Sequence, residues 1–292
     1  FQFFTSILPN LWVMKTNKTF LLTSFLFFGM LHFKGNSSDA QGLPAPAPSG
    51  DAAFQNGEEL TYKIYYNLNF IWVPAGEVTF KVFDEGTQFH YQARGETYDS
   101  YEWFFSVKDQ YDSWVDKNTF MPNYSERSVN EGNYQKKKKI SFNQSAKKTT
   151  VWRADKRGAA ETKTEHTVQD QVHDVLSILY QLRNTDFASQ QPGYSVPFTV
   201  FMDKEEFPLG LRYVGKEAKK KVHGMGRYKT LKFQPDVIAG NVFKDNSKMS
   251  VWVSDDQNRI PVLIESPVSA GSVKMVLKKY WGLKYEFGAK VD

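Results

Sequence analysis

After about the fiftieth residue, apolar side chains in this chain recur on alternate positions in short segments, and only one stretch departs from that period. A backbone written this way presents one face of many strands to an interior and the other to water. Leu60, Tyr62, Ile64 and Tyr66 share a face, and Val78, Phe80 and Val82 repeat the pattern after the turn Pro74-Ala75-Gly76. Phe89 to Ala93 follows the turn Asp84-Glu85-Gly86-Thr87, so the first three segments read as a meander. Beyond the middle of the chain, Val196, Phe198, Val200 and Met202 restart the alternation, with Pro197 on the opposite face as at a strand start or an edge. Further strands are expected over residues 207–215, 219–224, 228–234 and 249–265.

The exception is Gln169 to Arg183. Val172, Val175, Leu176, Leu179 and Leu182 fall at helical spacing, which predicts an amphipathic helix over about 170–183 with Asp170 as its N-cap and Asn184-Thr185-Asp186 as its exit. The expected fold is therefore mainly β (α+β): a curved antiparallel sheet or half-barrel with one amphipathic helix packed against it. Sixteen per cent aromatic residues suits half-buried pleated surfaces.

The N-terminal region carries a different message. Met14 is followed by Lys15, Lys18 and an apolar run from Phe20 to Leu31, and Ser38-Asp39-Ala40 supplies small residues at the positions a signal peptidase reads. We expect an export signal over 14–40 with cleavage before Gln41, upstream non-native sequence over 1–13, a Pro/Ala-rich spacer over 41–53, and a single β-rich domain over 54–288. The apolar run is shorter than the roughly 20 residues that span a bilayer. The expected location is periplasmic or secreted. Export would remove three lysines and one aspartate from a formal charge of +5, leaving 34 basic against 31 acidic side chains, too small a surplus to point to nucleic acid. With no cysteine, disulfides, thiol catalysis and thiolate metal sites are excluded.

A second regularity joins the two halves. Trp114-Val115 aligns with Trp252-Val253, and with one residue inserted in the second turn Pro122, Glu126, Val129 and Gly132 align with Pro261, Glu265, Val268 and Gly271. Similar hairpin chemistry or a true repeat would both give this match.

Several ordered motifs resemble the exported bacterial family called domain of unknown function 3108: residues 57–62, Ala75-Gly76-Glu77, residues 174–183, residues 252–262 and Gly271-Ser272-Val273. The resemblance runs from about Phe54 to Tyr285. It implies a secreted or periplasmic β-rich protein without an assigned activity, similar in general look to lipoprotein-carrier folds, where a curved sheet surrounds an apolar cavity.

Candidate functional residues are few. Tyr98, Tyr101, Trp103 and Phe105 lie in the most aromatic stretch and suit either ligand stacking or core packing. His166, Asp170 and His173, with Asp174, would converge on a metal if the helix reached back to 166, but capping and the helix dipole account for the same residues. Lys136, Lys137, Lys138 and Lys139 suit anionic headgroups or a solvated strand edge. Asp255-Asp256-Gln257-Asn258 lacks the spacing of a calcium loop and reads as a turn. Adjacent carboxylates such as Glu58 and Glu59 point to opposite strand faces, and neither a nucleophile elbow nor a triad spacing is present. The expectation is an exported, non-catalytic binder or carrier of a lipid or acylated envelope ligand, without cofactor. The alternative is an envelope or extracellular glycan hydrolase with unidentified carboxylates.

Overall fold

A computed structural model describes residues 52–68, 71–102, 106–154, 158–236, 248–268 and 271–291. The expected leader at 14–40, the segment 1–13 and nearly all of the spacer lie outside the described residues. So do Trp103 and Phe105, and of Tyr101 only the backbone is described.

The alternating segments form fourteen strands: β1 (Glu59–Leu68), β2 (Ile71–Glu85), β3 (Gln88–Thr97), β4 (Lys108–Asp116), β5 (Pro122–Glu131), β6 (Tyr134–Asn143), β7 (Lys148–Ala154), β8 (Thr162–Thr167), β9 (Ser195–Met202), β10 (Glu205–Val222), β11 (Gly226–Pro235), β12 (Ser250–Ser254), β13 (Pro261–Val268) and β14 (Gly271–Trp281). All pair in one antiparallel sheet of order 8-7-6-5-4-3-2-1-14-13-12-11-10-9, so the first and last strands are central neighbours and β8 and β9 are the edges. The helix α1 (Val175–Arg183) joins the two edges and lies across the concave face, against β3, β4 and β9.

The segment leading into α1 bridges the two edges without completing a strand ladder between them. Val168 N–H donates to the Lys147 carbonyl at 2.9 Å, and Gln169 N–H donates to the Glu206 carboxylate at 3.1 Å. His173 pairs with β9 through its own N–H to Thr199 and through Phe201 N–H to its carbonyl, at 2.9 and 2.8 Å. The Gln144 amide holds Val172 from the other side, and Ile140, Phe142, Val151, Val168, Val172 and Phe201 form a separate apolar cluster under this seam. Backbone groups between sheet edges must find partners, and this extended segment supplies them.

That use of residues 168–173 corrects the helix boundaries. The helix begins four residues later than expected, its N-cap being Asp174, not Asp170. Asp174 Oδ1 accepts from the Leu176 and Ser177 amides at 2.8 and 2.9 Å while the Ser177 hydroxyl accepts from the Asp174 amide at 3.0 Å, a reciprocal capping box. Asp170 has no such partner at N3, and it lies exposed near Lys147. Asn184 closes the helix as expected. Residues expected as two strands, 207–215 and 219–224, form the single β10, whose two register irregularities let it pair with β9 at one end and β11 at the other. The aromatic stretch after Tyr98 opens with a helical turn, Asp99–Glu102. The ordered fold also exceeds 54–288 at both ends: Ala52, Ala53 and Ala289 are buried, and Ala289 N–H donates to Asp256 Oδ2 at 3.2 Å.

The two aligned hairpins share geometry. In both, the ladder shifts register after the tryptophan, pairing Val115 with Pro122 and Val253 with Pro261. The residue two after each tryptophan donates to the carbonyl just before each proline, Asp116 to Met121 at 3.0 Å and Ser254 to Ile260 at 2.8 Å. The residue two before each proline is left-handed, Phe120 at φ 56° and Arg259 at φ 47°. A shared bulge, closing bond and left-handed position go beyond what a generic turn requires.

Candidate functional site: an apolar cavity closed by a buried ion pair

One face of α1 leaves a gap against the second half of the sheet. Ile178, Leu179 and Leu182 on the helix face Phe198, Phe233, Val251, Ile264 and Met275 across a cavity of about 240 Å³. Among the described residues, its only charged or hydroxylic lining residues are Arg183, Asp236, Arg259 and Ser266. Leu179, at 40% exposure, looks exposed because it borders this space. The opposite flank of the helix is filled: Tyr180 stacks on Tyr91 at 4.0 Å between centroids and meets Phe54 edge-on at 5.0 Å. The helix therefore divides the concave interior into a packed aromatic half and a hollow aliphatic half.

A polar plug closes the end of the interior below the helix C-terminus. Arg183 forms a bidentate pair with Glu58 at 2.6 and 2.8 Å and also donates to the carbonyls of Ala53 and Asn258, both partners being buried. Although burial opposes its charge, the Glu58 carboxylate raises the Arg183 pKa above its ordinary value. Asn258 extends the plug by donating to the Tyr285 and Glu286 carbonyls and accepting from the Tyr285 amide. Asn184 Oδ1 accepts from Ala53 N–H at 2.9 Å, and the Tyr62 hydroxyl donates to the Pro261 carbonyl at 2.9 Å. Residues that carried the family resemblance, Glu58, Arg183 and Asn258, thus meet in one place. Sequence reasoning missed this pairing, because the partners are 125 residues apart and a lone Glu in a strand gives no local sign of its partner.

The expected site residues whose side chains are described do not come together in one place. Tyr98 donates to Glu77 Oε1 at 2.6 Å, and burial together with this bond lifts its pKa. His166 lies in β8, its Nε2 3.0 Å from the Thr164 hydroxyl, while Asp170 points to solvent and His173 is buried with Nδ1 3.2 Å from Ser177 Oγ. The extended path from 168 to 173 keeps the three off any common helix face, and among the described residues no group of His, Asp and Glu is arranged to hold a metal. Burial drops the His173 pKa to about 4 and pushes Asp174 up to about 6, the latter against hydrogen bonds from Ser113 and the helix amides. Strand alternation splits the lysine run. Lys137 and Lys139 face outward and pair with Glu126 and Glu161 at 3.3 and 2.8 Å. Lys138 is buried on the inner face beside Asp203, and burial with the neighbouring cations Lys136, Arg127, Arg153 and Lys204 drops its pKa to about 6. β6 is thus an interior strand of the sheet and not the edge the lysines suggested.

A shallower polar depression of about 330 Å³ on the outer face of the sheet brings Asp112 opposite Glu126. Asp112 accepts from Gln92 and Gln110 and contacts His90 Nε2 at 2.8 Å, and despite partial burial these bonds hold its pKa below the usual value. Glu126 is engaged by Lys137 and Tyr124. Acid-base hydrolysis of a glycoside calls for one carboxyl kept protonated beside one ionised. Asp109, pushed up to about 6 by burial, borders the same depression but is itself buried and accepts from the Asn130 amide at 2.8 Å, while Glu131, pushed up to about 7 by burial and by Asp109, is not part of its lining.

A large antiparallel sheet curled around a helix and an aliphatic hollow defines a β-barrel-like protein of the open kind. The chain belongs to the family described as "Protein of unknown function (DUF3108)", whose model matches residues 61–278. Among solved structures it is similar to a crystal structure described as a beta-barrel-like protein of domain of unknown function DUF1849 from Brucella abortus, with 10% identity and a TM-score of 0.55, covering 80% of this chain and 100% of that one. At that identity the likeness concerns the fold alone. No curated protein matches the chain.

Proposed function

We propose that this protein is an exported cell-envelope binding or carrier protein that holds the acyl part of a lipid or acylated molecule between α1 and the second half of the sheet. The observation that carries this reading is the aliphatic cavity of about 240 Å³ beside the helix. Along its apolar wall such a hollow excludes water and accepts apolar guests, since the side chains there would not repay an ordered water with hydrogen bonds. Each methylene moved from water into it contributes about 0.8 kcal/mol, so a single acyl chain supplies useful affinity without specific polar contacts. The signal-like run over residues 20–40 supports an envelope location. The lysine run enters less directly, because only Lys137 and Lys139 face outward and both already have carboxylate partners.

Native mass spectrometry of the protein purified from its own envelope tests the reading. The expected result is a co-purifying mass released by organic extraction and a mature chain beginning at Gln41. A clean apo mass together with no transfer of labelled lipid between vesicles would refute it.

A further inference from the structure

Resting on that reading, the charged residues of the cavity wall bear on the head group of the ligand. Arg183 is committed to Glu58 and two carbonyls. Arg259 is different: its Nη1 donates to the Arg183 carbonyl at 3.1 Å, and no carboxylate among the described residues lies within ion-pair distance. A guanidinium carries five N–H donors, and the terminal carbonyls of α1 offset only part of one charge. The side chain is half-buried against an otherwise aliphatic wall, where an uncompensated cation is unfavourable.

Its backbone is also constrained. Arg259 sits at φ 47°, held there by Asp256 Oδ1, which accepts from the Asn258 and Arg259 amides at 3.1 and 3.3 Å. Phe120 takes the same conformation at the matching position of the first hairpin, so the turn itself fixes the backbone that sets Arg259 at the cavity edge. Asp236, the cavity's carboxylate among the described residues, stands just past the end of β11, whereas Arg259 lies two residues before the start of β13. Leu231 of β11 lies opposite Val253, which lies opposite Pro261, and Asp236 is five residues beyond Leu231, which separates the two ends by roughly 16 Å at strand rise.

We propose that the bound acyl compound carries an anionic head, a carboxylate or a phosphate, seated on Arg259, with its tail running along α1 toward Asp236. Charge complementarity fixes the direction: the anion meets the cation at one end and would be repelled by the carboxylate at the other.

The test titrates the full chain with dansyl-labelled undecanoic acid and displaces the probe with dodecanoate, dodecyl phosphate, methyl dodecanoate and dodecyltrimethylammonium. The two anions are expected to compete at about tenfold lower concentration than the ester or the cation, as one charge-assisted contact predicts. The tighter of the two names the head group. Arg259→Gln is expected to abolish this preference, so that the anions compete no better than the ester, and Arg259→Lys to recover part of it. Equal competition by all four compounds, or a preference that survives Arg259→Gln, overturns the head-group assignment alone. Absence of probe binding overturns the acyl-cavity reading as well. Because the preference is read first on the unsubstituted chain, a variant that fails to fold does not remove the test.

Discussion

Glu58→Gln isolates the ion pair that closes the cavity. The substitution keeps the shape of the side chain and removes its charge, leaving a guanidinium that is 7% exposed with no carboxylate partner. Removing one member of a buried pair costs about 3–5 kcal/mol, because the remaining charge keeps its desolvation penalty and loses its compensation. For a domain of this length each kcal/mol moves the melting midpoint by about 2–4 °C, so a fall of about 10 °C is expected. Arg183→Met should cost a similar amount, by stranding Glu58 and two carbonyls. The double substitution Glu58→Gln with Arg183→Met removes both charges at once. It should lie only about 1–3 kcal/mol below the parent, the residual loss being the carbonyls of Ala53 and Asn258 left without donors. Urea unfolding followed by tryptophan fluorescence on all four proteins closes the cycle. A Glu58→Gln loss under about 1 kcal/mol, or a double variant that loses the sum of the singles, would refute the account of the plug.

Other expected outcomes concern the seam, the cavity and the sheet. Between about pH 6.5 and pH 4 the folded protein keeps His173 neutral while the unfolded chain protonates it, so this residue contributes stability that is lost on acidification, about 3 kcal/mol in all. Asp174 acts in the opposite sense below about pH 6, and His173→Gln should therefore gain stability relative to the parent as pH falls from 7 to 4.5; parallel stability curves would count against the assignment. Asp174→Ala should cost about 2 kcal/mol through loss of the cap, read by urea unfolding at pH 7, with Asp174→Asn retaining most of it. Ile264→Trp places bulk in the hollow, so it should abolish binding of the dansyl probe while changing stability by less than about 1 kcal/mol, and retained binding would place the probe elsewhere. Gly76→Ala should lower stability by about 1–3 kcal/mol in a thermal melt, since its Cβ would stand 2.3 Å from the Glu96 carbonyl of β3.

Local chemistry set much of the architecture. Period-two alternation made the sheet legible, the Pro and Gly turns placed most hairpins, and the paired Trp-Val and Pro positions foreshadowed the two matching bulges. The start of the helix was misjudged because Asp170 and Asp174 are equally good caps by residue type. Only the pairing of His173 with Thr199 and Phe201 made the intervening residues extended. Alternation also says that a strand has two faces without saying which one turns inward. The lysine run therefore looked uniformly solvated until the curl of the sheet placed Lys138 inside and Lys137 and Lys139 outside.

The sequence by itself determined the class of fold, because each strand signal depends on neighbours two residues away. The cavity, the Glu58–Arg183 plug and the exposure of Arg259 to the cavity were decided by tertiary structure alone. They depend on contacts between elements more than a hundred residues apart, on the curvature of the sheet, and on which flank of α1 the aromatic residues fill. No local pattern encodes a void, since a void is defined by the side chains that fail to meet.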